Sequence, residues 1–242
     1  TSDLVRRLCP EPPTERAARA ATFAKPGRCT WQWLPSGDPV YETYGTGRYF
    51  ATMCPGTGPW GAKMQEVASW LFAAGCYGVY LDQIGSANPV PWFNVAHGHA
   101  LGGGSHWVDG YRTLLTPMRK AAVARGAMLV TENTAEPYMD NIDAYLTWLT
   151  DPDTDIPALQ AVYSGYTTWF GSWMDPNNDL AGFRSCQMRE TLWGCQIGWV
   201  GPWILEPEKR DQFECMVKLA AQRVSKKEFF AEGRLLGEVA NE

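Results

Sequence analysis

The stretch Gly78-Val79-Tyr80-Leu81-Asp82-Gln83-Ile84-Gly85 decides the fold class of this chain. Its first four residues form a short buried-strand pattern, and Asp82 follows where that strand ends. A helix is predicted before it over Ala62–Ala74, from apolar residues at helical spacing, and Gly75 ends this helix. A helix, a glycine, an apolar strand and a polar residue together indicate one unit of a parallel α/β sheet.

The same order of elements recurs one unit later in the chain. A helix is predicted over Val108–Arg125, then Gly126, a strand over Ala127–Thr131, and Glu132 directly after that strand. The remaining predicted strands are Cys29–Leu34, Arg48–Cys54, Ile142–Trp148, Leu159–Tyr163 and Cys195–Trp203, and the remaining helices are Thr14–Ala24 and Glu208–Val224. A turn is predicted at Pro35–Pro39.

Two architectures fit this alternation, a doubly wound open sheet and a closed (β/α)₈ TIM barrel. No GxGxxG or GxxxxGK[ST] pattern follows a strand, which disfavours a nucleotide-binding open sheet. Carboxylates stand at the strand ends, where barrels place their catalytic groups, so we predict the barrel. A complete barrel takes about 250 residues and eight strand–helix pairs. The seven strand candidates therefore indicate only the later two-thirds of a barrel.

The predicted elements also divide the chain into three parts. Residues 1–47 are expected to be an irregular segment or an early part of the barrel, and residues 48–225 to be its catalytic region. Residues 226–242 are expected to begin a C-terminal β-domain or to form a tail.

Composition and charge exclude several classes of protein. With 242 residues, 45% of them hydrophobic and 12 of them Trp, the chain can bury a sizeable core and is not disordered. A net charge of −5 argues against a sequence-independent nucleic-acid binder. The apolar runs are too short to cross a bilayer, so no membrane partner is predicted. The seven cysteines contain no CxxC pair, and their scatter favours free thiols in a reducing, cytoplasmic compartment.

Asp82 and Glu132 are the candidates for chemistry. They would lie at the ends of adjacent strands, which are roughly 4.8 Å apart, so their carboxyl groups could stand about 5 Å from each other. At that separation one carboxylate can attack an anomeric carbon while the other protonates the leaving oxygen, with retention of configuration. Glu136, in the loop after the strand, competes for the acid role. The structural alternative is that Asp82 caps the next segment and Glu132 pairs with an arginine.

All three histidines, His97, His99 and His106, lie in one loop. They could recognise sugar hydroxyls, or they could bind zinc with Asp82 as a further ligand. Metallohydrolase barrels draw ligands from several strands, so substrate recognition is favoured, and neither a metal nor a cofactor is predicted.

Aromatic residues near the strand ends are predicted to stack on sugar rings. This set comprises Trp60, Trp92, Trp107, Tyr138 and Trp199. Trp70, on the apolar face of its predicted helix, is expected in the core.

The chain resembles the retaining (β/α)₈-barrel glycoside hydrolases, in particular a poorly characterised group distantly akin to the α-galactosidase and α-amylase type barrels. The resemblance rests on Gly78–Gly85, on His97–Trp107 leading into Gly110-Tyr111-Arg112, on Thr131–Tyr138 and on Gly194–Trp199. It implies that Asp82 is the nucleophile. An α-amylase-like pattern implies Glu132 as the acid/base, whereas an α-galactosidase-like pattern leaves Asp151 as the only candidate.

The function expected from these features is hydrolysis of a glycosidic bond in a carbohydrate substrate by two carboxylates. The alternatives are a non-catalytic carbohydrate-binding barrel, a barrel that needs another segment to complete it, and a zinc-dependent hydrolase that uses His97, His99 and His106.

Overall fold

The computed structural model describes residues 40–44, 50–94, 97–148, 155–172 and 174–236. The elements predicted at 14–24, 29–34 and 35–39 lie outside these residues, as does Asp151. The chain divides into two compact units. The first takes its described residues from the chain up to Val79 and from Ala87–Ala127, and the second from Tyr80–Ser86 and from Met128 onward.

The elements follow one another in an alternating α/β order. They are β1 Tyr41–Glu42, β2 Phe50–Ala51, α1 Gly58–Ala73, β3 Gly78–Leu81, α2 His106–Val123, β4 Met128–Glu132, β5 Ala144–Leu146, α3 Ala158–Tyr163, β6 Thr168–Phe170, α4 Leu180–Leu192, α5 Arg210–Ser225 and α6 Lys227–Phe230. Short 3-10 helices cover Glu136–Tyr138, Pro202–Leu205 and Pro207–Lys209.

The first unit is built on the packing of α1 against α2. α1 buries Ala68 and Phe72, which are four residues apart and so lie on one helix face. α2 buries a longer stripe of apolar residues: Trp107, Tyr111, Leu114, Leu115, Met118 and Ala122. Both helices confirm predicted ones and begin two to four residues earlier than predicted.

Trp70 is not a core residue, contrary to prediction, because 68% of its surface is exposed. Successive helical residues are rotated by about 100°. Trp70 is two positions from both Ala68 and Phe72, which are buried, and therefore lies on the opposite face of α1.

The second unit contains a parallel sheet. The strand order is β3-β4-β5-β6, and β4 pairs in parallel with β5, which pairs in parallel with β6. Leu129, Tyr145 and Trp169 on successive strands are all nearly or fully buried, as expected of a sheet covered on its faces. The predicted parallel α/β class is thus confirmed for this sheet.

Helices α4 and α5 pack together in the second unit. α4 begins after Asp179, whose side chain accepts a hydrogen bond from the backbone N–H of Gly182 at 2.7 Å and so caps the helix. Met174, Phe183 and Ile204 form a buried apolar cluster beside them.

Three sequence predictions for this unit differ from the structure. The run predicted as a strand at Leu159–Tyr163 lies in helix α3, because Ala, Leu and Gln favour a helix once Pro157 has opened it. The strand predicted at Cys195–Trp203 is reduced to a single parallel bridge between Gln196 and Phe170. Helix α4 was not predicted, because its apolar residues are spread around the helix instead of forming one stripe.

Four of the five cysteines in the described part of the chain are free thiols: Cys54, Cys76, Cys195 and Cys215. Among the described residues, no helix has the length and apolar character needed to cross a membrane.

Candidate active site

Glu132 ends β4 as a buried carboxylate, with only 7% of its surface exposed. Its Oε2 atom accepts hydrogen bonds from the backbone N–H of Gln83 at 3.3 Å, from Nε2 of Gln83 at 3.3 Å and from the Ser86 hydroxyl at 3.1 Å. Its Oε1 atom accepts one from the Trp148 indole at 2.5 Å. A buried carboxylate is costly unless it is hydrogen-bonded, and these four donors offset that cost.

Asp82 directly follows β3, and its carboxyl group lies beside the side chain of Glu132. Partial burial raises the pKa of Asp82 to about 6, and the hydrogen bond and the negative charge of Glu132 add to the rise. The structure therefore places the two predicted carboxylates next to each other.

The ends of β3 and β4, with the loops that follow them, are held together by short contacts. The Thr131 hydroxyl donates to the carbonyl of Leu81 at 2.6 Å and accepts from the N–H of Gly85 at 3.2 Å. A Cβ atom at Gly85 would lie 2.3 Å from the carbonyl oxygen of Glu132, so only glycine permits this approach. The two carboxylates are thus held on backbone segments that cannot move independently.

Among the described residues, three other than glycine have a left-handed backbone, with φ of 70° at Gln83, 56° at Asn133 and 33° at Trp199. Gln83 follows Asp82 directly, and Asn133 follows Glu132 directly. Such conformations cost on the order of 1–3 kcal/mol each and cluster at functional sites. At Gln83 the conformation places a backbone N–H and a side-chain N–H on one carboxylate oxygen.

Trp148 and Trp199 form an aromatic pair beside Glu132. Their rings meet edge to face with centroids 5.2 Å apart, and they remain 37% and 40% exposed. Trp148 also binds Glu132 through its indole N–H. Trp199 was in the predicted sugar-stacking set, whereas the roles of Trp148, Gln83 and Ser86 at Glu132 were not predicted. The one sequence signal for them was that Trp148 and Gln83 each lie near the end of a predicted strand.

Glu136, the predicted competitor for the acid role, lies in the 3-10 helix after β4 and is exposed. Its carboxylate accepts a hydrogen bond from the Tyr163 hydroxyl. This hydrogen bond raises the pKa of Tyr163. Neither Glu136 nor its partner Tyr163 is among the residues that donate hydrogen bonds to Glu132.

The remaining predicted binding aromatics are mostly buried. Trp92 is fully buried, Trp107 is 3% exposed and Tyr138 is 4% exposed, while Trp60 in α1 is half-buried. Trp107 packs edge to face on Tyr111 with centroids 5.3 Å apart. A stacking role for these rings stays a prediction.

The histidines belong to the first unit, where Trp92 lies against all three. Its ring centroid is 4.4 Å from that of His97, 4.9 Å from that of His99 and 6.1 Å from that of His106. Burial lowers the pKa of His106, and the neighbouring His99 lowers it further. Recognition of sugar hydroxyls by these histidines stays a prediction.

Two curated proteins are similar in sequence. The chain is 32% identical over 210 residues to the "Putative glycoside hydrolase" of Bacteroides thetaiotaomicron, a match that covers 82% of this chain and 30% of that protein. It is 34% identical over 168 residues to "Putative glycoside hydrolase 22789" of Monosiga brevicollis, covering 65% of this chain and 14% of that protein. The chain thus spans less than a third of the length of these relatives.

Solved structures of two glycosidases share the fold. An α-galactosidase from Thermus thermophilus in complex with stachyose superposes with a TM-score of 0.51 at 14% identity, covering 78% of this chain and 44% of that one. A ligand-free α-N-acetylgalactosaminidase from Bifidobacterium bifidum superposes with a TM-score of 0.56 at 14% identity, covering 84% and 33%. At this identity the likeness concerns the fold.

The chain is similar in sequence to two proteins named as putative glycoside hydrolases and similar in fold to two glycosidases. The predicted resemblance to glycoside hydrolases is confirmed to that extent. A family model also matches residues 27–174, which is more than half of the chain. The chain therefore belongs to the family described as domain of unknown function DUF6259.

Proposed function

We propose that this chain carries the catalytic carboxylate pair of a glycoside hydrolase, with Asp82 as the nucleophile and Glu132 as the acid/base. The observation that carries the proposal is that Asp82 and Glu132 lie side by side where β3 and β4 end, with the two strand ends held together through Thr131. Sequence similarity to proteins named as glycoside hydrolases supports the reaction class.

The reaction would proceed in two steps with retention of configuration. Asp82 attacks the anomeric carbon, the glycosidic C–O bond breaks, and Glu132 gives its proton to the leaving oxygen. Glu132 then takes a proton from water, and the resulting hydroxide displaces Asp82 from the sugar. This reaction requires Asp82 to be ionised and Glu132 to be protonated when the sugar is bound, with the two carboxyl groups about 5 Å apart.

The Trp148–Trp199 pair would provide the sugar-binding surface beside these carboxylates. Both rings are partly exposed, and Trp148 is tied directly to Glu132. Flat aromatic faces stack well on the C–H faces of sugar rings, because the ring is apolar there. We further infer that the four-stranded sheet is part of a (β/α)₈ barrel, completed by strands outside the described sheet or by another segment.

The test uses p-nitrophenyl and dinitrophenyl α-galactosides and α-N-acetylgalactosaminides, because those are the sugars in the names of the enzymes that share the fold. Asp82→Asn should abolish turnover of every aryl glycoside. Glu132→Gln should abolish turnover of the p-nitrophenyl glycoside but keep part of that of the dinitrophenyl glycoside, whose leaving group needs no proton. Azide should rescue Glu132→Gln and yield a glycosyl azide of retained configuration.

Glu136→Gln is the matched control, because it removes a nearby carboxylate that binds Tyr163 and not Glu132. It should leave turnover within about twofold of wild type. Wild-type rates in both Asp82→Asn and Glu132→Gln would sink the assignment. Glycan binding by calorimetry without turnover of any glycoside in the panel would favour the non-catalytic carbohydrate-binding alternative.

A further inference from the structure

Cys54, His97 and His99 form a cluster of metal-ligating side chains in the first unit. One ligand atom from each of the three lies within 4.8 Å of those from the other two. Cys54 Sγ is 3.5 Å from His99 Nε2. In a tetrahedral zinc site, Zn–S and Zn–N bonds of about 2.3 and 2.05 Å place sulfur and nitrogen about 3.6 Å apart. The Cys54–His99 pair already has that spacing.

The Cys54 loop is fixed in place from two sides. The carbonyl of Cys54 accepts hydrogen bonds from the Thr57 hydroxyl at 3.0 Å and from the Thr57 N–H at 3.3 Å, which closes a tight turn. Gly110 of α2 lies against this turn, and a Cβ there would be 2.7 Å from the Gly56 nitrogen. The thiol therefore has a defined position, and it is fully buried.

The histidine loop is fixed as firmly. Trp92 and Gly102 pair through two backbone hydrogen bonds, at 2.8 and 2.5 Å, and so close the base of the loop that holds His97 and His99. The buried Trp92 ring packs against both imidazoles. His99 Nδ1 is 3.0 Å from the carbonyl oxygen of its neighbour Ala100, so Nδ1 is the protonated nitrogen. This leaves the lone pair of Nε2 directed at the thiol, which is the usual arrangement of a metal-binding histidine.

The side chains of the cluster are those that a zinc site uses. A divalent cation bound at Cys54 takes the thiolate form of the side chain and releases the thiol proton to solvent. Thiolate and imidazole ligands together are typical of Zn²⁺.

We propose that Cys54, His97 and His99 bind a zinc ion that links the Cys54 turn to the histidine loop. The zinc site considered from the sequence alone used His97, His99 and His106, with Asp82 as a further ligand. Here Cys54 supplies the third ligand, while His106 stacks flat on His99 with centroids 4.6 Å apart. Three protein ligands leave the fourth position of the tetrahedron to water. The proposal stands apart from the carboxylate pair and does not depend on the glycosidase assignment.

The test is metal binding by the tag-free chain, first stripped with chelator and then titrated with Co²⁺ and with Zn²⁺. Cobalt should give one equivalent of tetrahedral visible absorption together with a thiolate-to-cobalt charge-transfer band in the near ultraviolet. Zinc should displace it, release one proton per ion at pH 8 and raise the melting temperature. Cys54→Ser should lose the charge-transfer band, and His99→Ala should weaken binding at least about 100-fold.

Cys76→Ser is the matched control, because it removes an exposed thiol on the same unit and should bind cobalt as wild type does. A Cys9→Ser/Cys29→Ser variant should likewise bind cobalt as wild type does. Circular dichroism of each variant without metal reports whether it still folds. The proposal would be overturned if the folded wild type showed no thiolate-to-cobalt charge-transfer band, or if that band were unchanged in folded Cys54→Ser.

Discussion

Trp148 donates its indole N–H to Glu132 Oε1 at 2.5 Å, so the residue just beyond β5 holds the carboxylate that ends β4. Such a contact joins the ends of two neighbouring parallel strands. It also gives one exposed aromatic ring two roles, as a hydrogen-bond donor and as a candidate sugar-stacking surface.

Trp148→Phe should keep the aromatic ring and remove this donor. A hydrogen bond to a charged group contributes about 1.5–3 kcal/mol, so kcat/KM on an aryl glycoside should fall roughly 10- to 100-fold. Trp199→Phe is the control, since Trp199 meets the Trp148 ring without donating to Glu132. Equal losses in both variants would show that the ring pair matters and the hydrogen bond does not.

Asp82 should make stability fall as the pH rises between about 4 and 6. Its pKa is raised from 3.8 to about 6 in the folded chain, so the folded state binds this proton more tightly than the unfolded state. The stabilising effect is fully present below the unfolded pKa and is lost as the pH passes the folded pKa. Asp82→Asn should therefore melt above wild type at pH 7.5, with the difference disappearing near pH 4.

Thermal melts across this pH range measure the effect. Glu66→Gln serves as the control, because Glu66 forms only an exposed pair with Lys63. A constant offset between Asp82→Asn and wild type at all pH values would contradict a raised pKa of Asp82 in the folded chain.

Glu190 is a second carboxyl group whose pKa is raised by burial. It is fully buried on α4, its Oε1 accepts from the Thr147 hydroxyl at 3.1 Å, and its Oε2 has no hydrogen-bond partner among the described residues. Burial raises its pKa from 4.5 to about 7. Stability from this group is therefore complete below pH 4.5 and is lost as the pH rises through 7.

Glu190→Gln should consequently raise the melting temperature above pH 7 and change it little at pH 5. The full cost of ionising this group is on the order of 3 kcal/mol, which marks the upper limit of the gain. Glu214→Gln is a suitable comparison, because Glu214 pairs with Arg210 on the exposed face of α5. A melting temperature of Glu190→Gln that parallels wild type from pH 5 to 9 would show that Glu190 does not titrate there.

Gly85→Ala should disrupt the site although it adds a single methyl group. The new Cβ would lie 2.3 Å from the carbonyl oxygen of Glu132 and 2.7 Å from that of Asn133, both of which are backbone atoms that cannot swing aside. We expect loss of activity together with a drop in melting temperature. Gly61→Ala, in helix α1 with open space around it, should instead stabilise the chain by about 0.5–1 kcal/mol.

Much of the sheet could be predicted because its signals are local. The strands ending at Asp82 and Glu132 are short apolar runs, each preceded by a helix and a glycine, and their adjacency follows from parallel-sheet geometry. Helix α4 and the helical state of Leu159–Tyr163 could not be predicted in this way. The apolar residues of α4 carry no clear period, and Leu159–Tyr163 is a short apolar run whose period fits a strand as well as a helix.

The partners of the carboxylates were harder to foresee than the carboxylates themselves. Trp148 reaches Glu132 from 16 residues away, through the register of β4 against β5. Cys54 meets His99 across 45 residues of chain. No sequence pattern marks either pair, since both depend on how loops of different strands fold back on each other.

The left-handed backbone at Gln83 sets two energetic effects against each other. Glycine at this position would relax the conformation, but it would also remove the side-chain amide, which is one of the four donors that offset the burial of Glu132. The strand end at the candidate site thus keeps an unfavourable backbone conformation together with the hydrogen bond that stabilises its buried carboxylate.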